Sequence, residues 1–62
     1  MKQKTIAMIF KALNNSGRYD DGLLRIEMDP LTKKIEVYLA GYFTLCCRTK
    51  VELADWLRDL PD

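Results

Sequence analysis

Two adjacent cysteines, Cys46-Cys47, two adjacent aspartates, Asp20-Asp21, a single serine, Ser16, and tyrosines set near arginines are the residues whose types could do chemistry. Thiol chemistry needs a thiolate, and a nearby cation stabilises one. On a strand the two cysteines point to opposite faces, so Cys46 alone would reach the outer face, where Arg48 shares its parity. A disulfide between sequence neighbours is strained and closes almost no loop. Tetrahedral zinc needs four ligands, which two cysteines without a histidine cannot supply. Asp20 and Asp21 offer too few oxygens for calcium and suit a turn. Ser16 sits in a helix stop with no activating partner, and histidine, the commonest general base, is missing. Gly17, Gly22 and Gly41 are scattered and form no phosphate loop. These residues predict no catalytic group, no cofactor and no metal site. Binding is the chemistry that remains.

Tyrosine and arginine are frequent anchors of protein interfaces. Tyr19, Tyr38 and Tyr42 are not required by the apolar pattern of the core. Tyr19 and Tyr42 are expected in or beside loops, and Tyr38 on the outer face of a sheet. The candidate partner-binding set is therefore Arg18, Tyr19, Asp20, Arg25, Glu36, Tyr38, Tyr42 and Arg48.

The elements that position these residues follow from apolar spacing. Ile6, Ile9, Phe10 and Leu13 fall at i, i+3, i+4 and i+7, and Leu53, Trp56, Leu57 and Leu60 repeat the spacing. Each is a helical stripe. The first helix is expected from a Thr5 N-cap to about Asn14, stopped by Asn14-Asn15-Ser16-Gly17. The last opens with Thr49 and Glu52, a capping box. Pro61 and Asp62 end it. Trp56 belongs to the core. Arg18 to Gly22 read as a polar loop with a turn at Asp21-Gly22. Leu24/Ile26/Met28, Ile35/Val37/Leu39 and Phe43/Leu45/Cys47 alternate with polar residues and predict three strands. Asp29 to Lys33 turn between the first two. A three-residue loop at Gly41 would oppose Leu39 to Phe43, Val37 to Leu45 and Ile35 to Cys47, keeping one face apolar; a two-residue loop would not. The expected architecture is α+β, ordered α-β-β-β-α: a three-stranded antiparallel meander with two helices packed on one face.

The chain has 62 residues, which make one small domain of marginal stability. The apolar stretch near the start is too short to span a membrane and does not read as a signal peptide. Two unpaired cysteines fit a reducing compartment, so a cytoplasmic location is expected. Net charge is +1 but uneven. Lys2, Lys4, Lys11 and Arg18 precede the first acid, Asp20, so a basic end could meet an acidic partner. Four solvated cations on a helix face are also ordinary.

The run Leu53-Ala54-Asp55-Trp56-Leu57-Arg58-Asp59-Leu60-Pro61 resembles the C-terminal helix of small phage-encoded type I-F anti-CRISPR proteins, which carry Leu, Trp, Leu and Pro at this spacing after their strands. The resemblance is confined to that helix. The helix-first order here departs from theirs, and no binding residue carries over. It implies a compact, non-enzymatic inhibitor that occludes a larger host protein or complex. The helix-strand order is similar instead to double-stranded RNA-binding domains, which implies a nucleic-acid-binding alternative using the basic first helix. Their histidine and dense lysine cluster are missing here. Pairing of two copies through a sheet edge, a homodimer, is the third expectation.

Overall fold

A computed structural model describes residues 1–61 and places six elements: α1 (Gln3–Ser16), β1 (Arg18–Asp20), β2 (Leu24–Met28), β3 (Ile35–Leu39), β4 (Tyr42–Cys47) and α2 (Lys50–Asp59). Asp62 lies outside the described residues. The strands form one antiparallel meander in the order β1-β2-β3-β4. The fold is α+β as expected, but the sheet has four strands where three were expected.

The fourth strand comes from the segment expected as a loop. Gly17 takes the left-handed conformation at φ 78° and its N–H donates to Leu13 O at 2.9 Å, ending α1. The Gly17 carbonyl then accepts from Met28 N at 2.8 Å. That bond starts the pairing of Arg18 with Glu27, Tyr19 with Ile26 and Asp20 with Arg25. Helix α1 also begins earlier than expected. Lys2 is its N-cap, in extended backbone and without a side-chain hydrogen bond, while Thr5 lies within the first turn. The helix extends past Asn14 to Ser16, whose hydroxyl donates back to Ala12 O at 3.1 Å.

Two tight turns rest on aspartates. Asp21 Oδ1 accepts from Leu23 N at 3.0 Å and Leu24 N at 2.8 Å, while Asp20 Oδ1 accepts from Gly22 N at 2.9 Å. Asp29 Oδ1 accepts from Leu31 N at 2.8 Å and Thr32 N at 3.0 Å, and Lys33 completes the turn at φ 65°. These bonds use the short acidic side chain to mimic a backbone turn.

The β3–β4 hairpin combines the two registers weighed from the sequence. Its base keeps the expected pairs Ile35–Cys47 and Val37–Leu45. Above them a bulge shifts the register, so Tyr38 faces Phe43 and Leu39 faces Tyr42, leaving Thr44 as the extra residue. A two-residue turn closes the tip, with Ala40 at φ 53° and Gly41 at φ 86°, the paired positive values of a type I′ turn. The expected Leu39–Phe43 pair does not form.

The helices lie on one face of the sheet. Ile6, Ile9 and Leu13 of α1 and Leu53 and Leu57 of α2 meet Leu24, Ile26, Ile35, Val37 and Cys47 in one core. Ile9, Ile26, Val37, Leu53 and Leu57 are fully buried. Trp56 and Leu60 are half-buried and pack against this core, so the tryptophan needs no ligand to explain it. Helix α2 has the first half of the expected capping box, Thr49 Oγ1 accepting from Glu52 N at 3.2 Å, while Glu52 Oε2 accepts from Arg48 N at 3.1 Å, one residue before the cap, instead of from Thr49 N. The Met1 amino group donates to Leu60 O, which ties the start of the chain to the end of α2. No helix among the described residues is long and apolar enough to cross a membrane.

Candidate protein-binding face

The sheet face turned away from the helices is built by strand parity. Leu24, Ile26, Ile35, Val37 and Cys47 turn inward, so their strand neighbours turn out. Cross-strand register lines those neighbours into two rows spanning all four strands. One row reads Asp20, Arg25, Tyr38, Phe43; the other reads Arg18, Glu27, Glu36, Cys46.

The first row is an ordered stack. The Arg25 guanidinium carbon lies 4.3 Å from the centroid of the Tyr38 ring. Arg25 Nε is also 3.4 Å from Glu27 Oε2, an ion pair on the same face. The Tyr38 and Phe43 rings meet edge to face, with centroids 5.6 Å apart and planes at 73°. The positive edge of one ring thus meets the negative face of the other. Tyr38 Oη reaches Glu36 Oε2 at 3.5 Å. Phe43 is 58% exposed despite these contacts. A large aromatic is held in one orientation and left in solvent, the combination that suits an interface anchor.

Five of the eight expected residues, Arg18, Asp20, Arg25, Glu36 and Tyr38, share this face. Three do not. Tyr19 is paired with Ile26 on the helix side and packs against the core, and its hydroxyl donates to Asp21 Oδ2 at 2.9 Å. Burial and then the Asp21 carboxylate push its phenol pKa up. Tyr42 is a strand residue in register with Leu39, on the helix side beyond the helices' cover, and is 78% exposed. Arg48 lies in the β4–α2 connection, its N–H taken by Glu52.

Phe43 and Glu27 were not among the expected residues. Glu27 was legible from the Leu24/Ile26/Met28 alternation. Phe43 was assigned inward, and only the Ala40-Gly41 dipeptide signalled the turn that sends it outward.

The aspartates and Cys47 among the other chemical candidates serve structure. Asp20 and Asp21 are turn acceptors, and the backbone N–H groups of Leu24 and Leu23 hold the Asp21 carboxyl below its ordinary pKa. Cys46 is exposed on the outer face and Cys47 is buried in the core. Burial, with Glu52 and Cys46 nearby, pushes the Cys47 thiol up and keeps it neutral. Among the described residues no group of three metal-ligating side chains converges. No protein-family model, curated protein or solved structure matches the chain.

Proposed function

We propose that this protein is a small, non-enzymatic binding module that acts by covering a surface of a larger protein or complex with its outer sheet face. The observation that carries this reading is the Arg25–Tyr38–Phe43 stack, ordered on an uncovered face. Its aromatic end would supply apolar area at little cost in side-chain freedom, and Arg18, Asp20, Glu27 and Glu36 would form the polar surround. The likeness of α2 to the C-terminal helix of phage-encoded anti-CRISPR proteins supports an inhibitor from a mobile element that works by steric blockade. The free cysteines support a reducing, cytoplasmic setting.

Affinity capture from a bacterial lysate, comparing the wild-type chain with Phe43→Asp, tests the reading. A stoichiometric protein partner recovered by the wild type and lost with Phe43→Asp supports it. Recovery of nucleic acid alone, released by salt, overturns it in favour of nucleic-acid binding through α1. The variant must keep the wild-type circular dichroism, which the exposure of Phe43 leads one to expect.

A further inference from the structure

On the opposite layer of the molecule the two helices leave a groove between them. Its volume is about 370 Å³, and Phe10 and Asn14 of α1 and Lys50, Val51, Ala54 and Arg58 of α2 line it. The floor is apolar: Phe10 and Ala54 are half-buried, and Val51 is 69% exposed. An exposed valine beside a half-buried phenylalanine is unfinished helix packing, because each helix has already spent its main stripe on the sheet.

The charge around this floor is mostly positive. Helix α1 contains no acidic residue. Of α1 only Phe10 and Asn14 line the groove, and Lys4 and Lys11 fall at helical spacing on the exposed side of the helix next to them. On the α2 wall Lys50 Nζ donates to Asn14 Oδ1, which ties the two helices together at one end. Arg58 is paired with Asp55 at 2.9 Å. Asp55 is the one carboxylate against four cations, Lys4, Lys11, Lys50 and Arg58.

We infer that this groove docks an acidic amphipathic helix of a partner protein as a third helix of the layer. The apolar side of such a helix fills the space over Phe10, Val51 and Ala54, in the helix-in-groove mode. Its flanking carboxylates meet Lys50 and Arg58 on the α2 wall and reach Lys4 and Lys11 beyond the α1 rim. The apolar floor favours a helix over a phosphate backbone, which would gain from the cations and nothing from Val51. This surface is separate from the outer sheet face and stands or falls without it.

The test is a titration of the isotope-labelled protein, followed by amide chemical shifts. The probe is a synthetic helix of about 18 residues built from leucine and glutamate, its leucines at i, i+3, i+4 and i+7. Binding is expected at low salt, with the largest shifts at Phe10, Asn14, Val51 and Ala54. Affinity should fall about tenfold in Val51→Asp and in the Lys4→Glu/Lys11→Glu pair, and should weaken with salt. A control peptide with lysine in place of glutamate should not bind. Val51 is exposed, so the variant is expected to fold; Val51→Ala, milder in charge, should give a smaller loss. The inference is overturned if the probe leaves the groove shifts unmoved, if the lysine peptide binds equally well, or if an RNA duplex occupies the same residues more tightly than the acidic helix.

Discussion

Replacing Tyr38 removes two contacts at once, and the structure sets the size of the effect. The cation–π contact with Arg25 is partly solvated, since the Arg25 side chain is 44% exposed, so about 0.5–1 kcal/mol applies. The edge-to-face contact with Phe43 adds about 0.5–1.5 kcal/mol. Tyr38→Thr keeps a strand-favouring residue and avoids confusing lost contacts with lost strand propensity. Its expected cost is about 1–2.5 kcal/mol, out of a total stability of a few kcal/mol for a domain this small. A domain of this length loses about 4–8 °C in Tm per kcal/mol, so the melting point should drop by roughly 4–20 °C. Urea unfolding followed by Trp56 fluorescence measures it, with an unchanged slope showing that the fold is kept. Tyr38→Phe retains both ring contacts and should stay within about 0.5 kcal/mol of wild type. A double-mutant cycle with Phe43→Ala should return about 0.5–1.5 kcal/mol for the pair. If Tyr38→Thr unfolds at the wild-type midpoint, or the cycle closes at zero, the outer row is not an ordered stack and the binding argument loses its base.

Thr49→Ala removes the acceptor for Glu52 N and should cost about 1 kcal/mol by urea unfolding, with Thr49→Ser recovering most of it. Ile26→Ala opens a cavity at a fully buried position of the core; it should cost about 2–5 kcal/mol and leave circular dichroism of a largely unfolded chain at room temperature. The carboxyls of Asp21 and Asp29 are held below their ordinary pKa, chiefly by the backbone N–H groups of Leu24 and Thr32 respectively. A lowered folded-state pKa contributes stability that is complete above the ordinary carboxylate range, about pH 4, and is lost as pH falls through the lowered value. Thermal melts between pH 2 and 6 should therefore show an acid limb that becomes shallower in Asp21→Asn and Asp29→Asn.

Much of the fold was legible because burial imposes a period. The two helical stripes, the β2 and β3 alternation, the Asp29 turn and the Thr49–Glu52 box each carry a local signal that packing then reinforces. Strand β1 carries almost none: Arg18, Tyr19 and Asp20 are three residues with one apolar body. Their strand exists because the Gly17 carbonyl meets Met28 N across the sheet, a contact between residues distant in sequence. Tyr19 was misplaced for the same reason, since a residue in a loop has no face and a residue in a strand does. The hairpin register failed at its tip because two rules conflicted. An apolar face favours one pairing and Ala40-Gly41 favours the other, and the chain satisfies both by bulging at Thr44. The candidate site inherited that error at Phe43 and Tyr42, while Arg25, Glu36 and Tyr38, on regular strand, fell where parity put them.

The bulge at Thr44 breaks the parity of β4. Below it, odd-numbered residues belong to the core; above it, the odd-numbered Phe43 belongs to the surface. The extra residue shifts the numbering parity of β4 and not the face on which Phe43 or Leu45 lies. Loss of Thr44 alone would restore a uniform ladder in which Leu39 still faces Tyr42, Tyr38 still faces Phe43 and Val37 still faces Leu45, so the stack and the core would both keep their partners. The bulge thus absorbs one residue of length without changing a partner on either side of it. A change in the exposed aromatic pattern must therefore come from substitution at Tyr38, Tyr42 or Phe43 and not from the length of β4 at Thr44.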